Sequence, residues 1–181
     1  HQLGADEFRD QVEKEWEQIR GSALKLPQAE IDRIDAYFAP PDYEQLDDQS
    51  ALLAEQRSEH AEFENWLNAN VADHKAPGYA IANISLKGPD LPPGDMTANQ
   101  MDTVADIADQ YSFGEIRINH RQNLVLPNVR QSDLLELWQQ LASVGLATAN
   151  IGYVSDMIAC PGLDYCALAN ARTIPIAQEI N

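Results

Sequence analysis

The order of apolar patterns in the middle of the chain limits the fold more than any other feature. The run from Tyr79 to Leu86 is short and rich in β-forming residues, so it predicts a strand. The Gly- and Pro-rich stretch 88–94 predicts a loop. Thr97 to Gln100 fits a Ser/Thr-x-x-Glu/Gln capping box, and apolar residues then recur at helical spacing as far as Tyr111. A strand followed by a helix is therefore expected.

The same region continues with a predicted hairpin and a second helix. Two short strands, around Glu115 to Asn119 and Gln122 to Leu126, are joined closely enough to form a hairpin. Ser132 is the predicted cap of the next helix and Gly145 its end, and a final strand is expected near Ala149 to Val154. The order β-α-β-β-α is that of a ferredoxin-like split unit, so the predicted fold class is α+β.

The first 75 residues are predicted to form a helical lead-in. Their first helix carries one apolar stripe, and Pro27 stands at the start of a second helix. A third helix is predicted around Trp66. The bulky apolar residues of these helices are expected to pack against a neighbouring domain, because apolar residues at helical spacing are typical of a core. These residues are Phe8, Val12, Trp16 and Ile19 in the first helix and Phe63, Trp66 and Leu67 in the third.

Charge and composition exclude several classes of protein. The 181 residues include 29 acidic and 12 basic side chains, for a net charge of −17, and residues 1–75 hold 18 of the acids and 7 of the bases. A chain this acidic is a poor nucleic-acid binder, and a hydrophobic content of 44% is too high for a disordered acidic tail. No run is long enough to span a membrane and no signal peptide is seen, so the expected location is the cytoplasm.

The predicted hairpin is the first place where chemistry could occur. Strand alternation puts Arg117 and Asn119 on one face, and the turn adds Arg121, Gln122 and Asn123. Such a cluster of donors suits an anionic ligand, because Arg offers paired donors to carboxylates and amides bind further oxygens. The alternative is a solvent-facing hairpin with a polar turn, which is common in half-exposed antiparallel strands.

The second place is the pair Cys160 and Cys166, spaced C-x5-C. Thiolates bind iron well, but iron–sulfur clusters generally take four of them. The pair could equally be two inert thiols, a reversible disulfide or half of a zinc site. The four histidines, His1, His60, His74 and His120, show no metal-ligand spacing with the cysteines. The sequence has no phosphate-binding loop and no nucleophile elbow, so it does not predict a hydrolase.

Taken together, the motif Arg117-x-Asn119-x-x-Gln122-Asn123-Leu124 and the later Cys160-x5-Cys166 resemble the siroheme-containing nitrite/sulfite reductases, of the hemoprotein beta-component type. In that family two ferredoxin-like half-domains flank a siroheme joined to a 4Fe–4S cluster. The resemblance implies that the chain is a fragment in which a helical lead-in (1–75) precedes the second half-domain (76–150) and the truncated start of the siroheme/4Fe–4S domain (151–181).

The resemblance also assigns roles by position. Cys160 and Cys166 match the first two cluster ligands, while Arg117, Asn119, Gln122 and Asn123 match residues on the siroheme side. Asn119 stands where the family usually has Thr. The second cysteine pair, the first half-domain and the basic residues that bind substrate are not found in this sequence, so no catalytic residue is assigned.

On this interpretation the parent enzyme reduces sulfite or nitrite with electrons from a flavoprotein or a ferredoxin. The isolated chain is expected to be inactive and to lack both siroheme and cluster. Three other expectations stay open. The chain could be a free-standing ferredoxin-like binding or regulatory module with a structural or redox cysteine pair. It could be a zinc-ribbon relative, or it could dimerise through its uncovered apolar faces.

Overall fold

The chain divides into two compact units, His1–Asp42 and Tyr43–Asn181. The structure, a computed structural model, describes residues 4–21, 25–88 and 91–180. In the first unit, α1 spans Ala5–Ile19 and α2 spans Gln28–Tyr37, directly after Pro27, as the sequence predicts. The apolar stripe of α1 is about half exposed, so its packing against a neighbouring domain stays a prediction.

The second unit contains a four-stranded antiparallel sheet with helices on one face. Its elements are α3 Ser50–Glu59, α4 Ala61–Asn70, β1 Val71–Asp73, β2 Tyr79–Ile84, α5 Ala98–Tyr111, β3 Arg117–Ile118, β4 Leu124–Arg130, α6 Leu134–Ser143 and α7 Ile174–Ile180. The strand order is β1-β2-β4-β3. Every neighbouring pair is antiparallel. The predicted α+β, ferredoxin-like fold is confirmed, whereas the domain limits at residues 75 and 150 stay predictions.

The core lies between the sheet and helices α4, α5 and α6. Alternate residues of β2, namely Ala80, Ala82 and Ile84, join Leu126 and Val129 of β4 in one buried cluster. The helices contribute the side chains Phe63, Trp66, Val104, Ile107, Leu137 and Leu141 to this cluster. Because strand residues alternate between faces, the residues between them lie on the opposite face, where Ile81, Asn83 and Val125 are only half-buried.

The ends of α5 and α6 confirm two predicted signals and correct a third. Thr97 and Gln100 form the capping box of α5, with both reciprocal hydrogen bonds present. At the end of α6, Gly145 has φ +73° and the paired bonds Gly145 N to Ala142 O and Leu146 N to Leu141 O form a Schellman motif. The predicted Ser132 cap is wrong, because residues 131–133 form a 3-10 turn and the Ser132 hydroxyl donates to the Asp133 carboxylate.

The predicted final strand near Ala149 to Val154 is also wrong. Residues 150–156 form consecutive turns, with hydrogen bonds from Tyr153 N to Asn150 O and from Asp156 N to Tyr153 O. Gly152 within them has φ +83°, which a regular strand does not allow. The place beside β2 that such a strand would fill is taken by β1, which the sequence pattern did not predict.

The hairpin strands are shifted from their predicted limits. β3 covers only Arg117–Ile118, and the backbone has positive φ at Phe113 and Gly114 before it and at Gln122 after it. β4 instead continues to Arg130 and pairs with β2 through a bulge. Within the described ranges, no helix combines the length and the apolar character that crossing a membrane requires.

Candidate functional site

The turn of the hairpin is closed by the side chain of Asn119. Its Oδ1 accepts hydrogen bonds from the backbone N–H of Arg121 at 2.9 Å and of Asn123 at 3.1 Å. Its own N–H donates to the Asn123 carbonyl at 3.0 Å. A short amide side chain that bonds the backbone two and four residues later stabilises a tight turn. Asn119 therefore determines the shape of the turn.

Asn123 is fully buried directly after this turn and joins three parts of the chain. Its Oδ1 accepts from Leu86 N–H at 3.1 Å and from Lys87 Nζ at 2.8 Å, and its Nδ2 donates to Asp156 Oδ1 at 2.7 Å. Leu86 and Lys87 follow β2, and Asp156 lies in the segment that leads to the cysteines. The buried amide thus fastens that segment to the end of the sheet.

A buried ion pair lies beside Asn123. Lys87 Nζ is 3.6 Å from Asp156 Oδ1, and both side chains are completely buried. Lys87 also donates to the carbonyl oxygens of Arg121 at 2.6 Å and Gln122 at 3.1 Å. The partly exposed Arg121 contacts Asp156 Oδ2 at 3.3 Å, and Gly152 N–H donates to the same oxygen at 3.0 Å. A carboxylate with this many donors is well compensated for its burial.

The pKa values of the pair follow from these contacts. Burial opposes ionisation of Asp156, yet the hydrogen bonds from Gly152 and Asn123 and the neighbouring cations hold its pKa below the ordinary value. Burial lowers the pKa of Lys87, and the attraction of Asp156 partly offsets this. At neutral pH the pair therefore consists of a lysine ammonium and an aspartate carboxylate.

Among the hairpin residues, Gln122 bonds the chain directly before the first cysteine. Its Nε2 donates to the Ala159 carbonyl at 2.9 Å, and its Oε1 accepts from Ala159 N–H at 3.1 Å. Both polar groups of the amide are therefore engaged by a single backbone residue. Since Ala159 directly precedes Cys160, the hairpin turn is connected to the first cysteine.

Arg117 lies apart from this group. In the ladder it is opposite Val125, so it shares the sheet face that is turned away from the helices. Its Nε donates to Glu115 Oε1 at 2.6 Å, and the guanidinium is largely exposed. Glu115 Oε2 in turn accepts from the buried Asn128 Nδ2 at 3.0 Å, and Asn128 Oδ1 accepts from Tyr43 Oη–H at 2.8 Å. A buried amide therefore orients the carboxylate that holds Arg117.

The two cysteines lie in a loop whose two sides are joined by hydrogen bonds. Both thiols are free, Cys160 being exposed and Cys166 partly exposed. The Thr173 hydroxyl donates to the Cys160 carbonyl, and Leu163 N–H donates to Ala171 O at 3.0 Å. Gly162, with φ +60°, packs so closely on the returning chain that a Cβ there would be 2.7 Å from Ala171 O. Only glycine fits this position without a shift in the backbone.

A largely apolar cleft of about 550 Å³ separates the hairpin from this loop. Gln122 and Asn123 line it on one side, and Pro161 and Tyr165 of the cysteine loop line it on the other. Side chains from the loop before α5, from α5 itself and from the hairpin complete the wall, among them Met96, Met101, Ile118 and Leu124. An apolar cleft with a few polar groups is the usual form of a ligand site.

The donor set of the loop fits part of an iron–sulfur cluster. Two free, accessible thiols are suitable ligands, but a cluster generally needs four. Among the residues that the structure describes, no three or more His, Cys, Asp or Glu side chains are grouped so as to hold a metal ion. A cluster bound at this loop would therefore need ligands in addition to the two cysteines.

The structure thus groups the predicted site residues unequally. Asn119, Gln122 and Asn123 are together in the turn, and Gln122 reaches the residue before Cys160. Arg117 is on the outer sheet face. The sequence pattern missed Lys87 and Asp156, because a charged residue that will be buried against a distant partner looks the same in one sequence as an exposed one.

The middle of the chain matches a known protein family. Residues 88–144 match the nitrite/sulfite reductase ferredoxin-like half domain. Over 99% of its length the chain is 27% identical to the chloroplastic ferredoxin–nitrite reductase of Betula pendula and 28% identical to that of Zea mays. In both cases it covers 26% of the relative.

A bacterial sulfite reductase is also similar. Over 59% of the chain, identity to one of the subunits of the anaerobic sulfite reductase of Salmonella typhimurium is 26%, and 34% of that relative is covered. The chain therefore spans about a quarter to a third of the length of these relatives. They include proteins named for nitrite and proteins named for sulfite.

Proposed function

We propose that this chain, which contains a ferredoxin-like half domain of the nitrite/sulfite reductase family, is part of an assimilatory-type enzyme that reduces sulfite to sulfide or nitrite to ammonia at a siroheme coupled to a 4Fe–4S cluster. The observation that carries the proposal is the placement of two free cysteines beside the hairpin. Gln122 of that hairpin holds Ala159, and Cys160 follows.

In this proposal Cys160 and Cys166 hold two of the iron sites of the cluster. When bound, the cluster and the siroheme would pass electrons from the external donor to the oxyanion. The chain's own part is to carry two thiolates on a closed loop and to exclude water on one side with the apolar walls of the cleft. The remaining thiolates are proposed to come from another part of the parent enzyme.

The hairpin residues are proposed to lie on the siroheme side. Nε of Arg117 is occupied by Glu115, while the exposed edge of its guanidinium suits a cofactor carboxylate. The side-chain oxygen of Asn119 and both amide groups of Gln122 and Asn123 are engaged within the chain, so these residues would line the cofactor chiefly by fixing the shape of the turn.

The electron donor and the compartment belong to the same proposal. A ferredoxin or a flavoprotein is the proposed donor, and the cytoplasm is the proposed location. Free cysteines are consistent with a reducing compartment. The Betula pendula and Zea mays relatives carry chloroplastic names, so a plastid would be an equivalent setting for those proteins.

The test is anaerobic expression of the complete parent protein with a supply of siroheme, as wild type and as C160S and C166S. We expect a siroheme and iron–sulfur absorption spectrum and activity with sulfite or nitrite in the wild type, and loss of the cluster bands in both variants. S50A serves as the matched control, since Ser50 opens α3 far along the chain from the cysteines. Cluster bands that survive in both cysteine variants would refute the assignment.

The isolated chain is tested separately. With iron, sulfide and siroheme it should show no sulfite-dependent electron uptake and at most weak iron binding, because it offers only two thiolates. A stable siroheme-type spectrum from this chain alone would contradict the expectation.

A further inference from the structure

We infer that Gln122 is a positioning residue for Cys160, which it holds in place through Ala159 before any metal is bound. The significance of the inference rests on the proposed function, in which Cys160 is a cluster ligand. The geometry itself does not depend on that function. It is a reciprocal pair of hydrogen bonds, 2.9 and 3.1 Å long, between one side-chain amide and the backbone of the residue before the cysteine.

The backbone of Gln122 supports this assignment. Gln122 has φ +58°, in the left-handed region that residues other than Gly, Asn and Asp seldom adopt. Such a conformation persists where the surroundings over-determine it, and it is frequent at functional sites. Gln122 N–H donates to Asn119 O at 3.2 Å, Gln122 O accepts from Lys87 Nζ at 3.1 Å, and the side chain makes the paired bonds to Ala159, so these contacts support the conformation.

The side chain of Gln122 also lies close to a glycine in the loop before α5. A Cβ built on Gly94, which has φ +93°, would be 3.2 Å from the Cβ of Gln122. The glycine backbone therefore borders the glutamine closely. Gly94 thus borders the stem of the Gln122 side chain, while Ala159 bonds its terminal amide.

Asp156 fixes the same segment at a second point, three residues before Ala159. It accepts from Asn123 Nδ2 at 2.7 Å, and Asn123 follows Gln122 in the chain. Two consecutive hairpin residues thus hold two points of the segment that enters the cysteine loop. Two fixed points determine both the position and the direction of the chain at Cys160.

The second cysteine is held differently. Cys166 N–H donates to Gly162 O at 2.9 Å and Cys166 O accepts from Ala169 N–H at 3.1 Å, so both bonds stay within the loop. Cys160 also accepts a local bond from the Thr173 hydroxyl, but the residue before it is held by the hairpin, whereas the described hydrogen bonds of Cys166 are all local. This difference makes Cys166 an internal control for any experiment on Cys160.

The test uses hydrogen exchange at single amides of the metal-free chain, compared for wild type, Q122G and Q122E. Glycine accepts the positive φ, so Q122G removes the clamp without adding backbone strain. We expect exchange of Ala159 N–H to become roughly tenfold faster in Q122G, as the loss of hydrogen bonds of ordinary strength predicts. Exchange of Ala169 N–H should change less than about twofold. Q122E keeps the acceptor for Ala159 N–H but loses the donor, so it should give an intermediate rate.

Alkylation of the cysteines measures the consequence. With limiting iodoacetamide under anaerobic conditions, Cys160 should be modified several-fold faster in Q122G than in wild type, at an unchanged rate for Cys166. Unfolding in urea should show a similar midpoint for the two proteins. Equal rates at Ala159 and Cys160 in wild type and Q122G would overturn the inference.

These readouts are independent of the proposed function. If the chain or its parent never binds iron, the exchange and alkylation results still decide whether Gln122 positions Cys160. If the parent enzyme carries a cluster on Cys160 while Q122G changes neither rate, the function stands and the positioning role fails.

Discussion

Single side chains buried at the end of the sheet connect the hairpin to the cysteine segment. Asp156 accepts hydrogen bonds from three groups there, and Lys87 is its fully buried counter-ion. Removing one member of a buried pair costs more than forming the pair gains, because the remaining charge loses its compensation. The attachment of the cysteine segment to the sheet is therefore most sensitive to substitution of these buried side chains.

We predict that D156N lowers the free energy of unfolding by about 3 kcal/mol near neutral pH. The folded pKa of Asp156 lies below its unfolded value, so the carboxylate stabilises the fold at higher pH. This contribution is lost as the pH falls below about 4 and through the folded pKa. The stability difference between wild type and D156N should therefore narrow on acidification.

Urea unfolding across this pH range measures the effect. D164N is the matched control, because Asp164 pairs with the largely exposed Arg172 at 3.6 Å. A pair of that kind contributes less than about 1 kcal/mol. A D156N protein as stable as wild type at neutral pH would show that the buried pair is not stabilising.

Gly162 gives a second prediction at the same scale. In G162A the added Cβ would lie 2.7 Å from Ala171 O and 2.8 Å from Thr173 Oγ1, at φ +60°. We expect the cysteine loop to open, with faster limited proteolysis between residues 160 and 173. G152A is the control, since Gly152 has φ +83° but nothing within 4 Å of the added Cβ. Equal proteolysis of G162A and G152A would refute the role of the close contact.

Among the elements, α5 and α6 are joined by one glutamine. Gln100 Oε1 accepts from Thr97 N–H at 2.8 Å in the capping box, while its Nε2 donates to Val144 O at 2.9 Å at the end of α6. The start of one helix and the end of the next therefore share a side chain. Helix termini leave unpaired N–H and C=O groups, and this contact satisfies both kinds.

We predict that Q100E destabilises the fold by about 1–2 kcal/mol, although it keeps the capping box. The carboxylate would face the Val144 carbonyl at the negative end of α6, where it cannot donate. Thermal unfolding measures the loss. T97S, which keeps a capping hydroxyl, should be nearly neutral, and a Q100E protein with wild-type stability would contradict the shared-cap interpretation.

Elements with strong local signals were predictable from the sequence. The capping box of α5, the glycine that ends α6 and the hairpin all depend on nearby residues. The edge strand β1 was not predictable from the sequence, because it has only three residues and is formed through pairing with β2. For the same reason the partners of Gln122 and Asn123, which are 37 and 33 residues away, could not be read from their neighbours.

For the molecule as a whole, the distribution of charge limits what it can attract. Each basic residue in the stretch 76–150 contacts a carboxylate: Lys87 and Arg121 contact Asp156, Arg117 contacts Glu115, and Arg130 contacts Glu44. The whole chain carries a net charge of −17. These four basic side chains are thus already paired with carboxylates, while the net negative charge of the chain repels anions at longer distances.

We predict that an octacarboxylate porphyrin binds the isolated chain weakly and that its affinity increases with salt. Between about 10 and 100 mM salt the Debye length falls from about 30 to 10 Å, which screens distant acids more than a contact at Arg117. Fluorescence titration measures this, with the neutral octamethyl ester as control. Affinity that falls steadily over this range would instead indicate a dominant basic patch.

The edge position of β1 has a consequence for the order in which the molecule assembles. Relative to a ferredoxin-like unit, the sheet is circularly permuted: its edge strand precedes β2 by only five residues, 74–78, instead of arriving after α6. Short closures cost little chain entropy and form early. The sheet can therefore be completed while residues 150–180 are still unfolded, and we expect the cysteine segment to fold after it.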